Sequence, residues 1–273
     1  MKIESIVEDA LIEDLQSGDI TSEFLDIDKT VTAELIAKED GILAGIDVAF
    51  LAFKAVDPLL KIDIIISDGE KVKIGDVLAE IEGSSKSILK AERVALNFMQ
   101  RMSGIASKTR KYVDSIKPYK ARLLDTRKTT PLLRELEKYA VRMGGGFNHR
   151  FGLFDMIMLK ENHIRAAGSI TKAVQNINKR NTTYKIEVEV TNLEEFKEAV
   201  ETKIDRIMLD NMSIQDMHSA VTLNKHHIEL EASGNVTQES INEIASTGVD
   251  FISSGALTHS YRSLDITLLF KEH

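Results

Sequence analysis

The stretch from Asp125 to Arg150, DTRKTTPLLRELEKYAVRMGGGFNHR, concentrates side chains that bind anions. Its basic residues and its histidine are Arg127, Lys128, Arg134, Lys138, Arg142, His149 and Arg150. A guanidinium grips a carboxylate or phosphate through two parallel hydrogen bonds, and an ammonium supplies a compact point charge. The candidates for one wall of an anion-binding cleft are Arg127, Lys128, His149, Arg150 and Lys160.

The charge of the chain is unevenly distributed. The formal net charge is −8, yet residues 122–165 hold nine of the 35 Lys/Arg residues and only five of the 43 Asp/Glu residues. A positive region in an acidic protein can focus a small anion into a cleft. The alternative is a solvated helix face. We prefer that alternative for Arg134 and Lys138, which are expected to pair with Glu135 or Glu137.

Two carboxylates and two Ser-Gly pairs are further candidates for the same binding site. Glu189 and Asp210 follow apolar residues in KIEVEV and DRIMLDN. Carboxylates that face a phosphate-rich ligand commonly meet it through Mg²⁺, so both are candidate Mg²⁺ ligands, directly or through water or substrate. The alternative is that both carboxylates lie at strand ends and are only solvated. The pairs Ser233-Gly234 and Ser254-Gly255 stand between an apolar run and a helical pattern, where backbone N–H groups bind phosphate.

Six apolar runs of strand length must position these side chains. They alternate with helical patterns and read ARLLDTR, FDMIMLK, KIEVEV, DRIMLDN, IELEASG and DFISSG. Such alternation predicts a parallel sheet covered by helices, and strands that curl round form an α/β barrel. Because ligands bind at the carboxyl ends of barrel strands, six polar strand ends predict a single shared site.

The first part of the chain has a different pattern. TVTAELIAKEDGILAG and LLKIDIIISDGEKVKIGDVLAEIEG contain short apolar runs separated by Asp-Gly or Gly-Asp, which predicts strands joined by tight turns. In KAERVALNFMQRMSGIAS, an apolar face at helical spacing consists of Val94, Phe98, Met102 and Ile105. We predict an N-terminal α/β domain over residues 1–104 and a barrel domain over residues 105–261. The tail at 262–273 is expected to pack back on the first domain.

Composition excludes several classes of function. The chain of 273 residues contains no cysteine, which rules out disulfides, thiolate metal sites and a cysteine nucleophile, and fits a reducing cytoplasm. The acidic balance argues against nucleic-acid binding. The absence of a long apolar run argues against a membrane span, and the acidic N-terminus has no apolar core of a signal peptide. His149 and His163 lack the spacing of zinc ligands.

Eight motifs, spread in order over essentially the whole chain, resemble the quinolinate phosphoribosyltransferase family. They are ERVALNFMQRMSGIA, DTRKTTP, EKYAVR followed by GGG and NHR, LKENHI, EVEV, IMLDN, LEASGN and VDFISSGALTHS. The resemblance implies an α/β fold in which an N-terminal α/β sandwich domain is joined to an incomplete barrel of parallel strands.

The resemblance also implies the reaction and its requirements. Phosphoribosyl would pass from 5-phosphoribosyl-1-pyrophosphate (PRPP) to quinolinate with decarboxylation, giving nicotinate mononucleotide, pyrophosphate and CO2 in NAD biosynthesis. Mg²⁺ would accompany PRPP, with no organic cofactor. The protein would be a cytoplasmic homodimer, or a higher oligomer, with shared active sites and without nucleic-acid or membrane partners.

The same resemblance implies a role for each candidate residue. The ligands of the two quinolinate carboxylates would be Arg127, His149, Arg150 and Lys160, with Arg93 arriving from the partner subunit. Lys128 and Lys160 would also reach phosphate groups. Glu189 and Asp210 would hold Mg²⁺ and ribose hydroxyls. The 5′-phosphate would bind at Ser233, Gly234, Ser254 and Gly255. The catalytic set would be Lys128, Lys160, Glu189 and Asp210.

One position departs from the family pattern. Family members usually carry Pro-Gly-Leu-Arg where this chain has Pro131, Leu132, Leu133 and Arg134. Thr130 and Pro131 predict the start of a helix, since Thr is a favoured cap and Pro fits the first turn. Leu132 is therefore expected to be tolerated inside that first turn.

Three other functions are weighed against this one. A Schiff-base aldolase would use Lys160 as its nucleophile, but it leaves Glu189 and Asp210 without a task. A biotinyl or lipoyl carrier would explain DGEKVKIGDVLAEIEG, but the modified-lysine tip of such carriers is missing. A paralogous phosphoribosyltransferase-like protein with a different acceptor would share the architecture, but it typically departs from the DTRKTTP and NHR patterns that are intact here.

Overall fold

The computed structural model describes residues 2–25 and 27–271, which form two compact units. The first unit comprises Met1–Arg110, Thr130–Gly145 and Tyr261–His273, and the second comprises Lys111–Thr129 and Gly146–Ser260. The boundary predicted at residue 104 falls inside a long helix. The segment Thr130–Gly145, which the prediction left with the barrel domain, groups with the first unit.

The helices and strands are numbered in chain order. The first twelve are α1 (Ile3–Leu15), α2 (Ile20–Leu25), β1 (Thr30–Ala37), β2 (Gly41–Ile42), α3 (Ile46–Val56), β3 (Lys61–Ile64), β4 (Lys71–Val72), β5 (Val77–Ser84), α4 (Ser85–Ile116), β6 (Arg122–Leu124), α5 (Arg134–Met143) and β7 (Ile157–Leu159). They are followed by α6 (Glu161–Ala167), α7 (Ile170–Asn178), β8 (Ile186–Val190), α8 (Leu193–Val200), β9 (Arg206–Asp210), α9 (Ile214–Leu223), β10 (Glu229–Ser233), α10 (Ile241–Ser246), β11 (Phe251–Ser253), α11 (Ala256–His259) and β12 (Ile266–Phe270).

The first unit is built on a four-stranded antiparallel sheet in the order β12-β1-β5-β3, with a small β2-β4 pair beside it. Along β1, Ala33, Leu35 and Ala37 are fully buried and the residues between them are partly exposed. This is the two-residue alternation of a strand with one face on a core. The C-terminal strand β12 completes the sheet through its pairing with β1.

Helix α4 contains the predicted apolar face. The residues of this face are Val94, Phe98, Met102 and Ile105, and all are at most 8% exposed, which confirms the prediction. Arg93 and Asn97 lie on the solvent-exposed side of the same helix. Its Gln100 is half-buried, and the Nε2 atom donates a hydrogen bond to the carbonyl oxygen of Ile266 over 2.6 Å.

The second unit is a sheet of six parallel strands in the order β6-β11-β10-β9-β8-β7. These strands are the six apolar runs identified in the sequence, and helices connect most of them. Strands β6 and β7 form the two edges of the sheet, so the barrel is incomplete. The predicted α/β fold class, an N-terminal α/β domain joined to an incomplete barrel of parallel strands, is confirmed, and the first domain is built on a small sheet.

The predicted start of helix α5 is wrong. The helix begins at Arg134 rather than near Pro131, and Leu132 lies in a turn with φ 68° and 74% of its surface exposed. Thr130 is held outside the helix because its N–H donates to Oε2 of Glu137 over 3.2 Å, while Arg101 contacts both its hydroxyl and Glu137. Leu132 therefore occupies a left-handed conformation that favours glycine.

We expect Leu132→Gly to increase the free energy of unfolding by up to about 1 kcal/mol. A residue with a Cβ is destabilised by about 1–2 kcal/mol in a left-handed conformation, and glycine removes this strain. The greater freedom of glycine in the unfolded chain lowers the resulting stabilisation by about 0.5–1 kcal/mol. Urea denaturation measures the change. Leu59→Gly is the matched control, because Leu59 is 86% exposed in the same unit and lacks a positive φ. Equal destabilisation by both changes would contradict the prediction.

Candidate active site

A cavity of about 840 Å³ opens at the carboxyl ends of the six strands of the second unit. Its volume lies within the range typical of small-molecule sites. Eleven of the predicted site residues line it: Arg127, Lys128, His149, Arg150, Lys160, Glu189, Asp210, Ser233, Gly234, Ser254 and Gly255. The twelfth, Arg93, belongs to the first unit and is exposed on α4.

The cavity has a positive wall. Its lining contains four Lys/Arg side chains against two Asp/Glu side chains. Burial, and next the nearby charge of Arg127, lowers the pKa of the Arg150 guanidinium. Arg150 Nη1 also donates to the carbonyl oxygen of Met156 over 3.1 Å, which fixes the direction of the side chain. Two guanidinium groups held close together in a cavity form a receptor for an anion with paired oxygens.

Lys128 is placed by close packing against the loop that follows β11. A Cβ added at Gly255 would lie 2.8 Å from Cδ of Lys128, so glycine allows the lysine side chain to pass. The carbonyl oxygen of Lys128 accepts a hydrogen bond from Thr258 Oγ1 over 2.8 Å, and its N–H donates to Thr126 Oγ1 over 3.0 Å. The backbone of Lys128 is therefore held on both sides, and its side chain passes close to Gly255.

The two carboxylates of the cavity come from neighbouring strands. Glu189 on β8 forms an ion pair with Nζ of Lys160, and its side chain is 15% exposed. Asp210, at the end of β9, accepts a hydrogen bond from Asn211 Nδ2 over 2.9 Å. Carboxylate oxygens that open into one cavity are the hard ligands that Mg²⁺ prefers, so both side chains fit a role beside this ion.

The turn after β10 shows backbone strain. Gly234 has φ 94°, and a Cβ there would lie 2.3 Å from Oδ1 of Asn211, so only glycine fits. Asn211 and Asn235 also have positive φ, at 53° and 47°, and Asn235 Nδ2 donates to Asn211 Oδ1 over 3.0 Å. Strained residues of this kind cluster at functional sites. Helix α10 starts only at Ile241, so the turn itself presents the backbone N–H groups here.

Sequence reasoning missed a buried polar layer beneath the cavity. Glu187 and Glu231 are fully buried, and each precedes a cavity residue by two positions, on β8 and β10 respectively. Because side chains of a strand alternate between its faces, residues 187 and 189 share one face, as do residues 231 and 233. The signal was present in the alternation of EVEV and IELEAS.

His149 lies within this buried layer. Its Nε2 is 3.0 Å from Oε2 of Glu187 and 3.5 Å from Oε1 of Glu231. Burial lowers the pKa of His149, but the contact with Glu187 and the charges of both glutamates outweigh it, so the pKa is raised. Burial, and next the charge of Glu187, raises the pKa of Glu231 to about 7. The positive charge of Arg206 partly compensates the negative charge of the two buried glutamates. Its Nη1 lies 2.9 Å from Oε2 of Glu231.

The buried layer contains a set of potential metal ligands, because oxygen or nitrogen atoms of His149, Glu187 and Glu231 lie within 4.8 Å of one another. The guanidinium of Arg206 already supplies a positive charge to this group. A second cation beside it would meet electrostatic repulsion. We therefore keep Glu189 and Asp210, which open into the cavity, as the candidate Mg²⁺ ligands.

A second cavity, of about 640 Å³, opens beside β7 and shares Met158 and His163 with the first. None of the predicted site residues lines it. Among the described residues, no helix has both the length and the apolar character needed to cross a membrane.

An incomplete parallel barrel, with cations, carboxylates and Ser-Gly turns around one cavity at its strand ends, defines an enzyme that acts on small anionic, phosphate-bearing substrates. Residues 19–103 and 105–269 match the N-terminal and C-terminal domains of quinolinate phosphoribosyl transferase. The chain belongs to the quinolinate phosphoribosyltransferase family.

Individual relatives agree with this assignment. The chain is 47% identical over 263 residues to a probable nicotinate-nucleotide pyrophosphorylase [carboxylating] of Synechocystis, covering 94% of this chain and 89% of the relative. It is 45% identical to the chloroplastic nicotinate-nucleotide pyrophosphorylase [carboxylating] of Arabidopsis thaliana, covering 97% and 82%. The structure of the nicotinate-nucleotide pyrophosphorylase from Francisella tularensis superposes with a TM-score of 0.96 at 46% identity, covering 98% of this chain and 96% of that one.

Proposed function

We propose that this protein transfers phosphoribosyl from PRPP to quinolinate with decarboxylation, giving nicotinate mononucleotide, pyrophosphate and CO2. The observation that carries the proposal is the cavity of a family member in which four cations and two carboxylates from separate strand ends converge. Quinolinate offers two carboxylates and PRPP offers three phosphate groups, so both substrates match a positive wall.

The quinolinate carboxylates are assigned to Arg127, Arg150 and Lys160, with Arg93 of the partner subunit completing the site. Arg127 and Arg150 support this role because their charges are close enough for Arg127 to affect the pKa of Arg150. Lys160 forms an ion pair with Glu189. An incoming carboxylate can exchange with Glu189 as the partner of Lys160, which leaves Glu189 available for PRPP.

PRPP is assigned to the rest of the cavity. Lys128 and Lys160 reach its phosphate groups, and the turns at Ser233-Gly234 and Ser254-Gly255 bind the 5′-phosphate through backbone N–H groups. Glu189 and Asp210 would hold Mg²⁺ and the ribose hydroxyls. Mg²⁺ held there with PRPP would neutralise the charge that develops on the departing pyrophosphate.

The reaction follows from holding the two anions in one geometry. The ring nitrogen of quinolinate attacks C1 of the ribose as the bond to pyrophosphate breaks through an oxocarbenium-like state, which the carboxylates of the cavity stabilise. The ribosylated nitrogen is then cationic. It accepts the electron pair released when the adjacent carboxylate leaves as CO2, and a proton replaces the carboxylate on the ring. No organic cofactor is required for these steps.

The proposal also includes active sites shared between two subunits and a cytoplasmic location of the protein. Arg93 is exposed on the first unit, and the cavity is built from residues of the second, so an arginine from a partner subunit can complete it. Homodimers with two-fold symmetry are the commonest arrangement that provides two equivalent shared sites. The absence of cysteine supports a cytoplasmic location.

Product analysis tests the proposed acceptor. Purified protein incubated with PRPP, Mg²⁺ and quinolinate is expected to form nicotinate mononucleotide, detected by chromatography and mass spectrometry. Nicotinate offered in place of quinolinate is expected to give no product, because it lacks the second carboxylate that the paired arginines bind. Product from nicotinate but not from quinolinate would favour a paralogue with a different acceptor.

We expect Asp210→Asn to lower turnover by about tenfold and to raise the Mg²⁺ concentration needed for half-maximal rate, because one anionic oxygen ligand is lost while Glu189 remains. Turnover measured across a Mg²⁺ titration tests both effects. Asp114→Asn, an equivalent change at an exposed position on α4, should alter neither. A normal rate with a normal Mg²⁺ titration would mean that Asp210 is structural.

A further inference from the structure

The layer below the cavity is charged where a barrel interior is usually apolar. In most parallel barrels the inward-facing layers are filled by Val, Ile and Leu. Here Glu187 and Glu231 occupy the layer directly beneath Glu189 and Ser233, and both are fully buried. Burying two carboxylates is unfavourable unless nearby groups compensate them. Their position next to a substrate cavity is consistent with a role in the site above.

The imidazole of His149 is the group that both carboxylates contact. Its side chain is 6% exposed, and Nε2 faces Glu187 at 3.0 Å and Glu231 at 3.5 Å. Glu231 is held in turn by Arg206, which also pairs with Glu229 on the same strand. The two glutamates therefore define where the ring can lie, and the arginine fixes one of them.

The opposite side of the His149 ring is hydrogen-bonded to the backbone of Arg150. The N–H of Arg150 donates to Nδ1 of His149 over 2.7 Å, so Nδ1 is an acceptor and the ring proton is on Nε2. The N–H of His149 donates to Oδ1 of Asp125 over 2.8 Å. The imidazole therefore lies between the backbone of Arg150 and the two buried carboxylates.

We propose that Glu187 and Glu231 are positioning residues that act through His149 to aim Arg150 into the cavity. The identity of the ligand rests on the proposed function, since Arg150 is assigned there to a quinolinate carboxylate. Glu187 has the larger effect because it is closer to the imidazole and Glu231 is also engaged by Arg206. The proposal concerns quinolinate rather than PRPP, whose assigned contacts lie on other strand ends.

The test is Glu187→Gln, which keeps the shape and an oxygen acceptor and removes the charge. We expect quinolinate to bind about tenfold more weakly, since a small misplacement of a binding group has effects of this size or larger. The dissociation constant of PRPP should change by less than about twofold. Glu229→Gln is the matched control, because Glu229 pairs with the same Arg206 but its side chain is 40% exposed rather than buried. It should leave both affinities unchanged.

A second readout does not depend on either substrate. In ¹⁵N spectra of histidine-labelled, ligand-free protein, the signals of His149, assigned by their loss in His149→Gln, should show a protonated Nε2 and an unprotonated Nδ1. Glu187→Gln should shift the Nε2 signal, and Glu229→Gln should not. If Glu187→Gln fails to fold, Glu231→Gln is measured in the same way, with a smaller expected loss of quinolinate affinity.

The possible outcomes distinguish a failure of the positioning role from a failure of the proposed function. Selective weakening of quinolinate binding together with an altered His149 signal supports the positioning role. Unchanged quinolinate binding in a folded variant, or equal loss of quinolinate and PRPP, overturns it. If the wild-type protein binds PRPP but not quinolinate, the proposed function is wrong, and the His149 signals still decide whether Glu187 holds the ring.

Discussion

Arg150→Ala is expected to weaken quinolinate binding by about tenfold to over a hundredfold while leaving the fold intact. A hydrogen bond from a charged donor contributes about 1.5–3 kcal/mol, and its loss leaves a substrate carboxylate unpaired in the cavity. Arg127→Ala should act in the same direction. The stability of the protein should change little, because the two guanidinium groups lie close together and removal of one relieves their repulsion.

Isothermal titration with quinolinate measures this effect, and chemical denaturation checks the fold. Arg165→Ala is the matched control, since Arg165 is a largely exposed arginine on α6 whose ion pair with Glu161 contributes little. It should bind quinolinate like the wild type. Wild-type affinity in both Arg127→Ala and Arg150→Ala would remove the two arginines from the quinolinate site.

The second large effect is the recovery of activity from two inactive proteins. Arg93→Ala and Lys160→Ala are each expected to lose at least about a hundredfold in activity, because each removes a cation from a site that binds a dianion. If Arg93 acts in the partner subunit, a mixed dimer contains one site with both defects and one site with neither. Activity should then return to about half per mixed dimer, or about a quarter in a fully exchanged equimolar mixture.

The mixing experiment has an internal control. Arg127→Ala mixed with Lys160→Ala should show no recovery, because both residues line the cavity of one subunit. Mass spectrometry of differently tagged subunits establishes that exchange has occurred. Exchange without recovery in the Arg93 mixture would place Arg93 in its own subunit's site or outside the chemistry.

The sequence predicted the six strands and the edge at which the cavity lies. This was possible because a parallel strand in an α/β sheet combines a short apolar run with a polar carboxyl end, and all carboxyl ends meet at one edge. Lys160, Glu189 and Asp210 lie at the ends of three different strands yet line one cavity. Their convergence follows from topology alone, without knowledge of any single contact.

Helix α5 shows where local patterns fail. Thr130 and Pro131 form a typical helix start, but Thr130 is held by Glu137 and Arg101, the second of which lies far away in the sequence. Lys138 was predicted to lie on a solvated helix face, but it is fully buried. Helical spacing indicates which residues share a face, whereas tertiary packing decides which faces are buried.

The buried carboxylates were missed for a different reason. Glu187 and Glu231 are visible in the sequence as residues two positions before predicted site residues. The general expectation that barrel interiors are apolar assigns such glutamates to solvent. Only the contact of both with His149 and of one with Arg206 shows that they are compensated inside the protein.

Release of CO2 from quinolinate labelled at the carboxyl group next to the ring nitrogen tests the central claim most directly. With PRPP and Mg²⁺ present, the protein should release one labelled CO2 for each pyrophosphate formed, because the ring becomes an electron acceptor only after ribosylation. Without PRPP, no labelled CO2 should appear. Release that does not depend on PRPP, or pyrophosphate formation from both substrates without labelled CO2, would contradict the proposed reaction.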